Sequence, residues 1–144
     1  SYGQEEKYYI PGNQIKAQEI QGIKFGFGIC YDLRFSEHFL ALANCSNIVI
    51  IIANWPTSRI KHWNCLLRAR AIEEQIIIIG VNRTGSDGNG LEYTESSDIY
   101  DSNGNKLKYN QKNSIKIYEI EEQHFTANIP TFDDKKIEVY KDFL

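Results

Sequence analysis

Ile23-Lys24-Phe25-Gly26-Phe27-Gly28-Ile29-Cys30 sets apolar side chains at 23, 25, 27 and 29, the period-two alternation of a β-strand. The glycines at 26 and 28 leave one face of that strand bare, so another backbone or a ligand is expected to come close there. Two further stretches make the fold parallel rather than meandering. Residues 48–53 (Ile-Val-Ile-Ile-Ile-Ala) and 76–81 (Ile-Ile-Ile-Ile-Gly-Val) are continuous apolar runs of strand length, typical of strands covered on both faces. Between these three runs lie segments with helical spacing.

Working outward, Ser36 is placed to cap a helix running through Ala43. Pro56 ends the second strand, because it lacks a backbone N–H and holds Trp55 extended. Thr57 or Ser58 can then cap a helix carrying Ile60, Trp63, Leu67 and Ala71 at helical spacing through Glu74. Towards the N-terminus, residues 1–9 are polar and charged, Pro11-Gly12-Asn13 is turn chemistry, and residues 15–20 form a short strand. Towards the C-terminus, residues 82–90 are a glycine-rich loop. Residues 97–100 and 106–109 flank Asn103-Gly104, a hairpin signal. Residues 114–120 alternate as another strand. A short helix is expected from Glu121, then Pro130 and an irregular polar end. The order strand, helix, strand, helix, strand, hairpin defines an α/β layered domain.

Composition narrows the function. A chain of 144 residues with 42% hydrophobic residues is long enough for one domain and short for two. Sixteen Lys and Arg against 19 Asp and Glu give a net charge of −3, which excludes a strongly basic nucleic-acid binder or a polybasic membrane anchor. The longest apolar run, residues 48–53, is far below the ~20 residues of a membrane span. Cys30, Cys45 and Cys65 are odd in number and lack C-x-x-C spacing. They are expected to be free thiols in a reducing cytoplasm, holding no metal. The chain contains no methionine, so Ser1 is expected to be a boundary with part of the protein preceding it.

Cys30 closes the first strong strand just before a tight connection into a helix. In α/β sheets that edge is where ligands bind. A nucleophile on such a bend is exposed, and the backbone N–H groups of the following turn face the atom it attacks. The other reading of a cysteine here is a small apolar filler, and position alone leaves both open.

Gly28-Ile29-Cys30-Tyr31-Asp32-Leu33-Arg34-Phe35 resembles the nucleophile motif of the carbon–nitrogen hydrolase (nitrilase) superfamily. Ala53-Asn54-Trp55-Pro56, His62-Trp63 and Arg68-Ala69-Arg70-Ala71-Ile72-Glu73-Glu74-Gln75 resemble the same family. So do Asn82-Arg83, Gly85-Ser86-Asp87-Gly88-Asn89-Gly90 and the Pro130-Thr131-Phe132 tail. Together they are most similar to its omega-amidase branch, which hydrolyses the terminal amide of 2-oxo acid amides such as 2-oxoglutaramate. The resemblance implies a four-layer α-β-β-α sandwich of which residues 1–144 are the C-terminal portion, with the N-terminal half absent. It implies no cofactor, a small-molecule amide substrate, a homodimer or higher homo-oligomer, and a cytoplasmic setting with no nucleic-acid or membrane partner.

Members of that family use a Glu–Lys–Cys triad with a second glutamate nearby, forming a thioester on the cysteine, a difficult step split into two easier ones. Carried over, Cys30 matches the nucleophile, Tyr31 supplies the oxyanion N–H, and Glu5, with Glu6 as the alternative, fits the second glutamate. The base glutamate and the lysine match nothing here; both belong to family sequence preceding Ser1, so this chain by itself is expected to be inactive. Arg34, Arg59 and Arg83 are candidates to clamp a substrate carboxylate with a guanidinium fork, Arg59 being preferred. Trp55 and Tyr31 either line the pocket or fill the core. His62 is either a pocket wall or a surface histidine. His38 and His124 are expected to be solvated, and the loop-and-helix placement of Cys30 and His38 disfavours a protease-like dyad between them. Arg68, Arg70, Glu73 and Glu74 are expected to pair on a helix surface. Two readings compete with an omega-amidase: a non-catalytic fragment or binding module of the same fold, and a nitrilase or N-carbamoyl hydrolase.

Overall fold

The computed structural model describes residues 7–10 and 12–126. A short β1 (Gln18–Ile20) turns through Gln21-Gly22 into β2 (Ile23–Ile29). A 3-10 turn, Cys30–Arg34, leads into α1 (Ser36–Ala43). Next come β3 (Ile48–Ala53), a second 3-10 turn (Thr57–Arg59), α2 (Ile60–Glu74) and β4 (Ile77–Asn82). Two minimal strands follow, β5 (Gly85–Ser86) and β6 (Glu92–Tyr93), then β7 (Asp98–Tyr100), the hairpin β8 (Tyr109–Lys112) with β9 (Ile115–Tyr118), and a 3-10 turn at Glu122–Phe125.

The main sheet has the order β1-β2-β3-β4-β7. β2, β3 and β4 are parallel, with Gly28 opposite Ile51 and Ile51 opposite Gly80, while β1 and β7 run antiparallel at the edges. Both crossovers are helical, as parallel pairing of neighbouring strands requires. Helix-facing positions of the sheet alternate with positions on the other side, so Val49, Ile51 and Ile78 pack with Phe39, Leu42, Trp63, Leu67 and Ala71.

The bare glycine face is filled by the protein itself. A Cβ on Gly26 would meet Ser46 Oγ at 2.8 Å, and one on Gly28 would meet the Ile51 side chain at 2.9 Å. Gly80 does the same for Trp63 and Leu67. Of the two approaches expected there, another backbone or a ligand, neither is what fills the space; side chains of the helix layer and the neighbouring strand do, the packing that absent side chains permit.

The opposite face is only half covered. Ile48, Ile77, Ile99 and Leu107 form a second cluster, joined by Phe25, Ile79, Tyr118 and Phe125. Towards the carboxyl ends of the strands that cover stops, and Phe27, Ile29, Ile52 and Val81 are 52%, 64%, 52% and 43% exposed. Strands expected to be buried on both faces are therefore sealed on one and open at the end of the other.

Several boundaries move for local reasons. Phe35, not Ser36, is the N-cap of α1, because the preceding residues are wound into a 3-10 turn. Likewise Thr57 and Ser58 sit in a 3-10 turn before α2 begins. The Asn103-Gly104 turn exists, with Gly104 at φ +75°, yet its arms pair only through the bridge Tyr100–Lys106. The ladder hairpin is the next one, β8–β9. The tail from Pro130 lies outside the described residues.

Candidate active site

Cys30 is the first residue after β2 and opens the 3-10 turn at the carboxyl edge of the parallel strands. Its φ is +45°, a left-handed conformation that a side-chain-bearing residue adopts at a cost of about 1–2 kcal/mol. The thiol is partly exposed and packs at the border of the helix-side core. Cys30 is thus half-buried, in contact with the core and at the edge of the sheet at once.

The turn is closed by the Phe35 N–H donating to Asp32 O at 3.0 Å. An i→i+3 pattern beginning after Ile29 leaves the Cys30 and Tyr31 N–H groups without a partner inside the turn. The Ile29 N–H donates to Asp32 Oδ2 at 2.8 Å, tying the end of the strand to the middle of the turn. Tyr31 is exposed and meets Phe35 edge-on at 5.7 Å.

Arg34 stands between two rings. Its guanidinium carbon lies 5.4 Å from the Tyr31 centroid and 5.0 Å from that of Trp55, a cation–π arrangement with both. It makes no ion pair among the described residues. Trp55 belongs to the core and also to this wall: it is 3% exposed, and its indole N–H donates to Arg59 O at 2.8 Å. Arg59 and His62 are both exposed at the start of α2.

Asn82, at the end of β4, holds Trp55 in place. Its Oδ1 accepts the Trp55 N–H at 2.7 Å, while Nδ2 donates to Trp55 O at 2.9 Å and to Ser96 Oγ at 3.0 Å. Beyond it, Arg83 Nη2 donates to Ser86 O, and its guanidinium covers the Tyr93 ring at 4.6 Å. Asp87 accepts the Leu91 and Asn89 N–H groups and the Tyr93 hydroxyl. The Leu91 N–H and then the Tyr93 hydroxyl hold the Asp87 carboxyl below its ordinary value. The same hydroxyl bond, and then burial, raises Tyr93. Thr57 and Thr94 hydroxyls meet at 2.8 Å and join the loop to the turn after β3.

Glu5, the expected second glutamate, and its alternative Glu6 lie outside the described residues. A cavity of about 430 Å³ is lined by Asp101, Lys106, Tyr109 and Glu119 among others, and none of the candidate residues lines it. Among the described residues, no three His, Cys, Asp or Glu side chains are grouped to hold a metal, and no helix is long and apolar enough to cross a membrane.

Two expectations are corrected. Arg70 pairs with Glu73 as expected, but Arg70 and Glu74 are each 7% exposed rather than on a helix surface, and Arg70 faces the turn after Cys30. His38 is not solvated: its Nε2 is buried and lies near Gly28. Sequence reasoning also missed the structural part of Asn82. Its signals were a polar residue ending an apolar strand and its place in the Asn82-Arg83 motif.

The carbon-nitrogen hydrolase family model matches residues 3–125, and the chain belongs to that family. Among curated relatives, it is 40% identical over 100 residues to the omega-amidase YafV of Yersinia enterocolitica, covering 69% of this chain and 39% of that protein. It is 35% identical over 141 residues to the 2-oxoglutaramate amidase of Bacillus subtilis, covering 94% and 54%. The chain thus spans about two fifths to a half of these relatives. The amidase of Nesterenkonia sp. shares the fold, with a TM-score of 0.78 at 24% identity over 99% of this chain and 53% of that one. A mutant of that amidase, with the acetamide moiety of fluoroacetamide added covalently at the active site cysteine, matches at 29% identity with a TM-score of 0.65, over 74% and 41%. The fold is therefore the nitrilase type of α/β architecture, and these relatives are named as amidases.

Proposed function

We propose that this chain is the C-terminal portion of an omega-amidase that hydrolyses the terminal amide of 2-oxo acid amides such as 2-oxoglutaramate. The observation that carries the reading is Cys30, half-buried and at positive φ where β2 ends and a 3-10 turn begins. Relatives named omega-amidase and 2-oxoglutaramate amidase support the substrate class. The cysteine adduct in the related amidase supports a covalent route.

In this mechanism the Cys30 sulfur attacks the amide carbon, and the Tyr31 N–H receives the developing oxyanion. A glutamate of the preceding family segment takes the thiol proton and gives it to the nitrogen as the C–N bond breaks and ammonia leaves. Water then cleaves the thioester to the carboxylic acid and the free thiol. Glu5 serves as the second glutamate. Arg34 binds the substrate carboxylate, because its guanidinium is fixed by two rings and has no acidic partner among the described residues. Trp55 forms the wall behind it, with Arg59 and His62 at the outer rim. The exposed strip of Phe27, Ile29, Ile52 and Val81 supports a larger domain, since such a contiguous apolar face marks a packing surface. We place the protein in the cytoplasm as a homo-oligomer.

The test is ammonia release by the whole protein from 2-oxoglutaramate, glutamine, a simple nitrile and an N-carbamoyl amino acid. 2-Oxoglutaramate is expected to have the highest kcat/KM. A nitrile or carbamoyl preference would assign a different branch, and no turnover with a complete triad present would favour a non-catalytic module.

A further inference from the structure

We propose that Arg70 is a positioning residue for Cys30, clamping the far end of the turn that holds the thiol in its left-handed conformation. The proposal rests on the reading of Cys30 as the nucleophile. Arg70 projects from α2 and is 7% exposed. A buried guanidinium is unfavourable unless its donors are used. Here Nε donates to Leu33 O at 3.4 Å, Nη2 to Arg34 O at 3.5 Å, and Nη1 to Glu73 Oε2 at 2.6 Å. The guanidinium carbon lies over the Phe39 ring at 5.6 Å.

The two carbonyls are the ones the turn cannot satisfy. The last i→i+3 bond is Phe35 N–H to Asp32 O, and the bonds of α1 begin beyond Leu33 and Arg34. Arg70 supplies those donors from 36 and 37 residues away in sequence. At the near end, Asp32 Oδ2 holds the Ile29 N–H. Cys30 therefore sits between two tied points, the Ile29 N–H held by the Asp32 carboxylate and the Leu33 and Arg34 carbonyls held by the Arg70 guanidinium. Strained backbone of this kind persists only where its surroundings over-determine it. With the far anchor gone, Cys30 can relax towards negative φ, carrying the sulfur and the Tyr31 N–H out of common alignment. Arg70 reaches the reaction only through the turn.

Iodoacetamide alkylation of Cys30, read as its rate relative to exposed Cys65 in the same molecule, tests this directly. In Arg70→Met the Cys30:Cys65 ratio is expected to fall about tenfold, an ångström-scale misplacement being worth about that or more. Arg70→Lys, which keeps the charge but not the fork, is expected to fall between. In the whole protein, kcat for ammonia release should drop in parallel while KM stays near the wild-type value. A ratio within about twofold of wild type in a folded variant, whatever its Tm, overturns the proposal. If Arg70→Met does not fold, Arg70→Lys is judged by the same ratio and overturns it in the same way. A lowered ratio in a protein that turns over no amide leaves the role of Arg70 intact and defeats the amidase reading instead.

Discussion

Replacing Asn82 with alanine tests how the ends of β3 and β4 are held together beside the candidate site. The side chain is 6% exposed and makes three hydrogen bonds, two of them to the backbone of buried Trp55. Truncation removes all three and strands the Trp55 N–H and C=O, each unsatisfied buried group costing about 1–3 kcal/mol. Allowing for partial relaxation, the loss is about 3–5 kcal/mol. That is a large share of a folding free energy of roughly 5–15 kcal/mol. Both tryptophans lie in the core with ring centroids 5.3 Å apart, so urea unfolding followed by indole fluorescence reads the transition. Asn82→Asp, which sets a buried carboxylate oxygen against the Trp55 C=O where Nδ2 donated, should lose at least as much as alanine. A drop below about 1 kcal/mol for Asn82→Ala would refute the reasoning, because it would mean Trp55 finds other partners without help.

Cys30→Ala should abolish ammonia release from the whole protein while leaving its circular dichroism unchanged; measurable turnover rejects the nucleophile assignment. The 144-residue chain alone should release no ammonia and should self-associate through its open apolar strip, so a monodisperse active monomer in light scattering and assay would contradict both inferences. Tyr118 is pushed up to about 12, chiefly by burial, with neighbouring Asp98 adding to the rise. Its contribution to stability is therefore complete below the ordinary tyrosine value and is lost as pH rises through about 12. Ultraviolet titration at the phenolate band should show a tyrosine ionising there that Tyr118→Phe removes, and an unchanged curve in that variant would dismiss the shift.

The candidate nucleophile was legible because its signals are local. Alternation over residues 23–29 fixes a strand, and the break at Cys30 marks its carboxyl edge. β3 matches its apolar run at both ends, and α2 ends at Glu74 as its spacing implies. The misses share the opposite character. Arg70 and Glu74 look like surface charges in a charged helical segment, yet the third dimension buries both. The Asn103-Gly104 hairpin failed as a ladder because the arm after it is carried away into β8.

Period and turn chemistry along the chain were enough to determine an α/β order, the parallel core strands and the exposed bend at Cys30, since each depends on neighbours within a few residues. Only the folded structure decided which cation stacks on Trp55, that Asn82 reaches back 27 residues to hold it, and that Arg70 reaches back 36 and 37 residues to the turn. Those contacts join groups whose separation in sequence carries no periodic signal. Their identity follows from which unsatisfied donors and acceptors packing happens to bury together.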